Sequence, residues 1–238
     1  MAAGGPHAGG RVAQAGVPLA RARAVFVMAH GRGGSPEDML GLAEHLALPD
    51  AAFLAPAAAG GSWWPASFLA PLAANEPGLS SGLDVFRKLV GRLQESGVGT
   101  DRIVPMGFSQ GACLALEYAA RSGRAFKGVV GLSGGLVGTG EAGGPSADAL
   151  YGHAPKRFDY GAMRPSGPVF LGCHERDPHI PLARVHESAR VFERLGGAVT
   201  VEILPGAGHG IVEEEVRALR GLYNRRCESA DRRGSGVR

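Results

Sequence analysis

The sequence predicts an α/β domain: a mostly parallel central sheet with helices on both faces. Two observations carry this. Short apolar-rich runs recur at residues 24–29, 51–55, 103–106, 127–132, 169–173 and 198–204; that at 24–29 is continuous, and such runs suit parallel strands buried on both sides. Between them lie stretches with helical period, so strand and helix signals alternate, the pattern of a covered parallel sheet. A third observation singles out one strand. The run at 103–106 stops at Gly107-Phe108-Ser109-Gln110-Gly111, and an Ala- and Leu-rich helical stretch follows at once.

The elements follow in order. Residues 12–19 hold a weak strand signal. The run 24–29 ends at His30-Gly31-Arg32-Gly33-Gly34. Ser35-Pro36-Glu37-Asp38 then reads as a helix start, with Ser35 as N-cap, proline at the first helical position and an acid at the third. That helix is expected to run to about Ala47. Residues 51–55 form a second strand, stopped by Pro56. Residues 56–77 are a long loop that carries Trp63, Trp64, Phe68, Leu69 and Leu72. Ser80 or Ser81 is the expected cap of a helix from about 82 to 96, with Leu83, Phe86, Leu89, Val90 and Leu93 on one face. After the strand at 103 comes a helix to about Arg121. Pro105 is a misfit there, because proline gives no donor to a sheet ladder. A strand at 127–132 leads into a long Gly-rich stretch, 134–165. Loops of such length in compact domains are usually functional or mobile. A strand at 169–173, a helix at 182–195 striped by Val185, Ala189, Phe192 and Leu195, a strand at 198–204 and a helix at 212–223 complete the chain.

Composition bounds the function. With 238 residues, 45% hydrophobic and 20% charged, the chain makes one large domain or two small ones, and no composition break marks a second. The expected division is a weakly structured segment at 1–20, one domain at 21–224, and a basic, disordered tail at 225–238. The pI of about 9.0 suggests nucleic acid only until the charges are placed. The tail holds five arginines against Glu228 and Asp231, a net of +3 that equals the net charge of the whole chain. Residues 1–224 are therefore balanced and leave no basic face for a phosphate backbone. No stretch has the length of a membrane span, and residues 1–12 lack the apolar core of a secretory signal. Cys113, Cys173 and Cys227 are odd in number and lack metal spacing, which fits a reducing cytoplasm. The expectation is a cytoplasmic protein with no metal or cofactor, acting on a small molecule, with a homodimer left open.

Strand, sharp turn and helix around Gly-x-Ser-x-Gly is the context of a nucleophile elbow. The motif alone is weak: with 39 Gly and 14 Ser in the chain, chance supplies roughly 0.4 matches. A second match, Gly131-Leu132-Ser133-Gly134-Gly135, is followed by further glycines that do not start a helix. Ser133 is accordingly read as the polar end of a strand, and Ser109 as the nucleophile.

A serine hydroxyl needs a base, usually a histidine held by a buried carboxylate. On an elbow scaffold the acid and then the histidine follow the serine along the chain, at the carboxyl ends of parallel strands. His153 sits in the Gly-rich loop, His186 on a helix, and His174 and His179 flank the candidate acid. His209 follows the last strand in Gly206-Ala207-Gly208-His209-Gly210 and is the expected base. Asp177, after the strand at 169–173, is the expected acid; Glu175 competes, and Asp148 and Asp159 lie in the irregular loop. His179 is weighed as a second polar group near the site and reads rather as an exposed loop histidine. Two donors are needed for the oxyanion. One is the backbone N–H of Gln110; the other is that of Arg32 or its neighbour Gly33, after the first buried strand. Trp63, Trp64, Phe68 and Ile180 are the expected lining of an apolar acyl pocket.

These pieces together resemble the phospholipase/carboxylesterase family of small α/β-hydrolases, which includes acyl-protein thioesterases. The matching residues are His30-Gly31-Arg32-Gly33, Ser62-Trp63-Trp64, Gly107-Phe108-Ser109-Gln110-Gly111, the turn from Asp177 to Pro181, and Gly206 to Gly210; they span roughly residues 22–222 in the family's order. The resemblance implies an α/β-hydrolase fold without a large cap and a hydrolase of carboxylic esters, with Ser109, Asp177 and His209 as triad and Arg32 and Gln110 at the oxyanion hole. The chain departs from the pattern in Trp63-Trp64-Pro65, where thioesterases of the family usually have Trp-Tyr-Asp or similar, and in the longer 134–165 stretch. The expected activity is that of a serine carboxylesterase on small to medium esters. The rivals are an acyl-thioesterase or lysophospholipase with the same triad, and a non-catalytic ligand-binding hydrolase fold.

Overall fold

A computed structural model describes residues 4–161, 167–221 and 223. Seven strands form one sheet in the order β1 (Val12–Gly16), β3 (Ala51–Pro56), β2 (Ala24–Ala29), β4 (Ile103–Phe108), β5 (Val129–Leu132), β8 (Pro168–Arg176), β9 (Ala198–Ala207). β1 pairs antiparallel with β3, and all other neighbours are parallel. This is the α/β-hydrolase arrangement the sequence predicts.

The continuous apolar runs are explained by burial on both faces. In β2, Val25, Val27 and Ala29 join the core on one side of the sheet, while Ala24, Phe26 and Met28 join the core on the other. The first core is closed by α2 (Gly78–Glu95), α3 (Gln110–Ser122) and α4 (Leu182–Arg194). The second is closed by α1 (Pro36–Leu46) and by a helix at 213–221, here α5. α1 begins with the expected capping box: Ser35 Oγ accepts the N–H of Asp38, and Asp38 accepts that of Ser35.

Several local expectations are corrected. α2 starts at Gly78, and neither Ser80 nor Ser81 caps it; Glu76 takes the N–H and hydroxyl of Ser80, while Ser81 Oγ accepts the N–H of His7. Residues 4–20 are better anchored than their composition suggests. The buried His7 ring bonds to Trp63 O at 2.8 Å and accepts the N–H of Ala59, and β1 adds an edge strand. Pro105 is tolerated because it pairs with Val27 while the ladder to β5 opens only at Met106, so its missing N–H removes no bond from that ladder. The 134–161 stretch contains a short hairpin, β6 (Gly140–Glu141) with β7 (Lys156–Arg157). The tail at 225–238 lies outside the described residues. Among those described, no helix is long and apolar enough to cross a membrane.

Candidate active site

β4 delivers the chain to the elbow. Ser109 has φ 54° and ψ −120°, a left-handed conformation that costs a non-glycine residue about 1–3 kcal/mol. The flanking glycines make the turn feasible. A Cβ on Gly107 would lie 2.1 Å from Gly111 O, and one on Gly111 would lie 2.1 Å from Ala29 O. The turn is fixed from both sides: Ser109 N–H donates to Leu132 O at 2.9 Å, and Ser109 O accepts the N–H of Cys113 at 3.0 Å.

The loop after β9 brings His209 to this hydroxyl. Its Nε2 is 2.8 Å from Ser109 Oγ, and its Nδ1 is 2.8 Å from Asp177 Oδ2. The imidazole lies between the Phe108 ring, at 5.2 Å, and the His179 ring, at 4.7 Å and 75°. Asp177 is buried in the turn after β8. Its Oδ1 accepts the N–H groups of His179 and Ile180 at 2.8 and 3.0 Å, and the Cys173 thiol points at Oδ2 from 3.8 Å. The Tyr151 hydroxyl donates to the backbone oxygen of the same residue.

Burial alone would raise the Asp177 carboxyl, but the bonds from His209, His179 and Ile180 outweigh it and hold the group below its ordinary range. A carboxylate only accepts, so Nδ1 of His209 must carry the proton. That leaves Nε2 as the acceptor facing the Ser109 hydroxyl, the tautomer a general base requires. Burial, with the Asp177 charge adding, pushes the Cys173 thiol up to about 12, so it is a neutral donor.

The loop after β2 lies against the elbow. A Cβ on Gly31 would sit 3.2 Å from Ser109 Cβ. His30 is kept neutral chiefly by burial; its Nε2 accepts the N–H of Ala58, so Nδ1 donates to Gly31 O. The N–H of Gly33 is spent on Gly61 O at 2.7 Å. Of the two donors left open by the sequence, only that of Arg32 has no acceptor among the described residues. The N–H of Gln110 heads α3, where no intrahelical acceptor exists.

The side chains of these two residues have a role that the sequence did not reveal. Gln110 Oε1 accepts the N–H of Trp63 and its Nε2 donates to Trp64 O. The Arg32 guanidinium bonds Ser62 Oγ, Pro65 O and Ala66 O at 3.2, 2.8 and 2.7 Å. The buried Asn75 holds Ala66 N–H and Ser67 O. Together they fasten the 62–67 segment as one wall of a cleft.

That cleft, about 580 Å³, opens over Ser109 and His209 and is lined by Trp64, Phe68, Ile180 and Arg32 among others. Trp63 is a correction. It is fully buried beneath the wall, with Nε1 donating to His30 O and its ring packed on His7 and His30, and it does not line the cleft. His179 and Cys113 do line it. The sequence expectations included neither as lining, although each carried a signal: His179 shares the proline-bounded turn of Asp177, and Cys113 is one helical turn beyond Ser109. Burial pushes the Cys113 thiol up to about 12, which removes it as a rival nucleophile. Ser133 follows β5 directly with φ 49°, and no helix succeeds it. Glu175 is exposed at the end of β8 and accepts the N–H of Gly206. His153 forms a bridge with Ala147, and His186 lies on α4. Among the described residues no group of three or more His, Cys, Asp or Glu is arranged to hold a metal.

A parallel sheet with a serine at a strand–turn–helix elbow, facing a histidine and a buried aspartate, defines the α/β-hydrolase class. Within that class the chain belongs to the Phospholipase/Carboxylesterase family, whose model matches residues 13–147. It is 35% identical to a phospholipase/carboxylesterase from Dyadobacter fermentans, over 89% of this chain and 95% of that one, with a TM-score of 0.77. The fold is also that of a Bacillus cereus carboxylesterase, at 20% identity, 92% and 95% coverage and a TM-score of 0.69. In sequence the chain is similar to acyl-protein thioesterase 1 of Gibberella zeae, 29% identical over 139 residues, which are 58% of this chain; the match spans 54%, about half, of that relative.

Proposed function

We propose that this protein is a serine hydrolase of small to medium carboxylic esters. His209 takes the proton of Ser109 as the hydroxyl attacks the ester carbonyl, and returns it to the leaving alkoxide. Asp177 orients the imidazole and stabilises the imidazolium that forms. The N–H groups of Arg32 and Gln110 receive the oxyanion, an effect of about 3 kcal/mol per donor. Water, activated by His209, then frees the acyl group. The observation that carries this reading is the pair of 2.8 Å contacts joining Ser109, His209 and Asp177. The free, buried thiols of Cys113 and Cys173 fit a reducing, cytoplasmic setting.

The test is labelling with a fluorophosphonate probe. The wild type is expected to label at Ser109 and Ser109→Ala to remain unlabelled. A folded wild-type protein that fails to label would favour a ligand-binding role. With no large cap among the described residues, p-nitrophenyl esters are expected to turn over best with short acyl chains; a maximum at long chains would refute that preference.

The similarity to a thioesterase supports a second reading, hydrolysis of acyl thioesters by the same residues. Rates on an oxygen ester and thioester matched in acyl group separate the two.

A further inference from the structure

Arg32 has two faces toward this site. Its backbone N–H is the proposed oxyanion donor, and its guanidinium is built into the cleft wall. The guanidinium sits 2.8 Å from Pro65 O and 2.7 Å from Ala66 O, both on lining residues. Every acceptor it has is neutral: one hydroxyl and two carbonyls. No Asp or Glu pairs with it among the described residues, and none lines the cleft. Arg32 is therefore the one permanently charged residue among the described lining residues, and it has no ion-pair partner among the described residues. Three of its five N–H donors are used, which leaves two, the Nε–H among them. A guanidinium with spare donors and no counterion is the preferred partner of a planar carboxylate.

We infer that the cleft selects esters that carry a carboxylate besides the scissile ester, and that Arg32 is the residue that binds it. This rests on the esterase reading above and names its substrate class. Holding the guanidinium on three wall atoms fixes it before substrate arrives, so little side-chain entropy is lost on binding. Because Arg32 is exposed, the attraction is screened by salt.

The experiment compares kcat/KM for esters that differ only in carboxylate against carboxamide. One pair places the group on the acyl arm: monomethyl succinate and methyl succinamate. The other places it on the alcohol arm: 4-carboxyphenyl acetate and 4-carbamoylphenyl acetate. At least one pair is expected to favour the carboxylate about tenfold, mainly through KM, the effect of one charge-assisted contact partly exposed to water. The preference is expected to shrink as ionic strength rises to about 0.5 M. In Arg32→Met it is expected to vanish, and in Arg32→Lys to survive in part. Reading the ratio within each variant cancels any general effect on the wall. If both pairs show no carboxylate preference in a wild-type enzyme that labels with fluorophosphonate and cleaves the carboxamide esters, this inference falls and the esterase reading stands. If nothing labels and nothing is cleaved, the esterase reading falls, and this inference with it.

Discussion

At Ser109 the backbone is forced into a conformation its side chain disfavours, and two glycines permit it. At Gly111 an added Cβ would meet Ala29 O at 2.1 Å and His30 O at 2.5 Å. Both obstacles are backbone, so Gly111→Ala is expected to cost at least about 2 kcal/mol; the urea midpoint measures it. Asp177 poses a different question. Replacing it by Asn keeps the shape but removes the charge that fixes the His209 tautomer. The expected loss in kcat is on the order of 10⁴-fold, with little change in fold by circular dichroism. A loss of less than tenfold would count against the proposed role of Asp177. The residue types and order of this constellation were readable because each part follows a strand in a stated way. Trp63 was misread because a loop aromatic faces the cleft or the core according to where its N–H finds an acceptor, and His30 O supplies one on the buried side.

At the scale of elements, the part least legible in the sequence was the stretch from 134 to 161. Its glycines gave no period, and its anchors come from distant elements. The main anchor is Glu117, a fully buried carboxylate on α3. It accepts from Arg121, from the N–H groups of Val137 and Gly138, and from the Tyr160 hydroxyl. Nothing in an Ala-rich helix announces that one acid points inward to organise a loop. Glu117→Ala strips four donors of their acceptor and is expected to destabilise by about 3 kcal/mol or more. Thermal melting measures the loss, and limited proteolysis is expected to cut within 137–160 first. If the variant melts with the wild type and resists cleavage there, Glu117 is not the anchor. The starts of β2, β3, β4, β5, β8 and β9, in contrast, were legible to within two residues because an apolar-rich run marks each, while β8 and β9 run three residues past their expected ends.

For the molecule as a whole, α5 carries a second buried acid. Glu215 is fully buried, with Oε2 accepting the N–H of Val212 and Oε1 unpaired among the described residues. Burial, with Glu202 and Glu214 adding, pushes its carboxyl from an ordinary 4.5 up to about 7. Between those pH values the folded chain holds a proton that the unfolded chain releases. The Glu215 contribution therefore favours folding at low pH and is lost as pH rises through that window, levelling above about 7. Glu215→Gln is expected to melt progressively higher than the wild type as pH increases from 5 to 8; parallel melting curves would show the group to be ionised throughout. A last consequence comes from the 140–156 hairpin. Lys156 bonds Ala70 O and Glu141, and Glu141 takes the N–H of Leu72, while the same insert reaches Asp177 through Tyr151. The two banks of the cleft are thus lashed to one crossbeam, giving a mouth of fixed gauge. Product release is then expected not to wait on a hinge, so turnover is expected to ignore solvent viscosity and to follow the intrinsic reactivity of the acyl group.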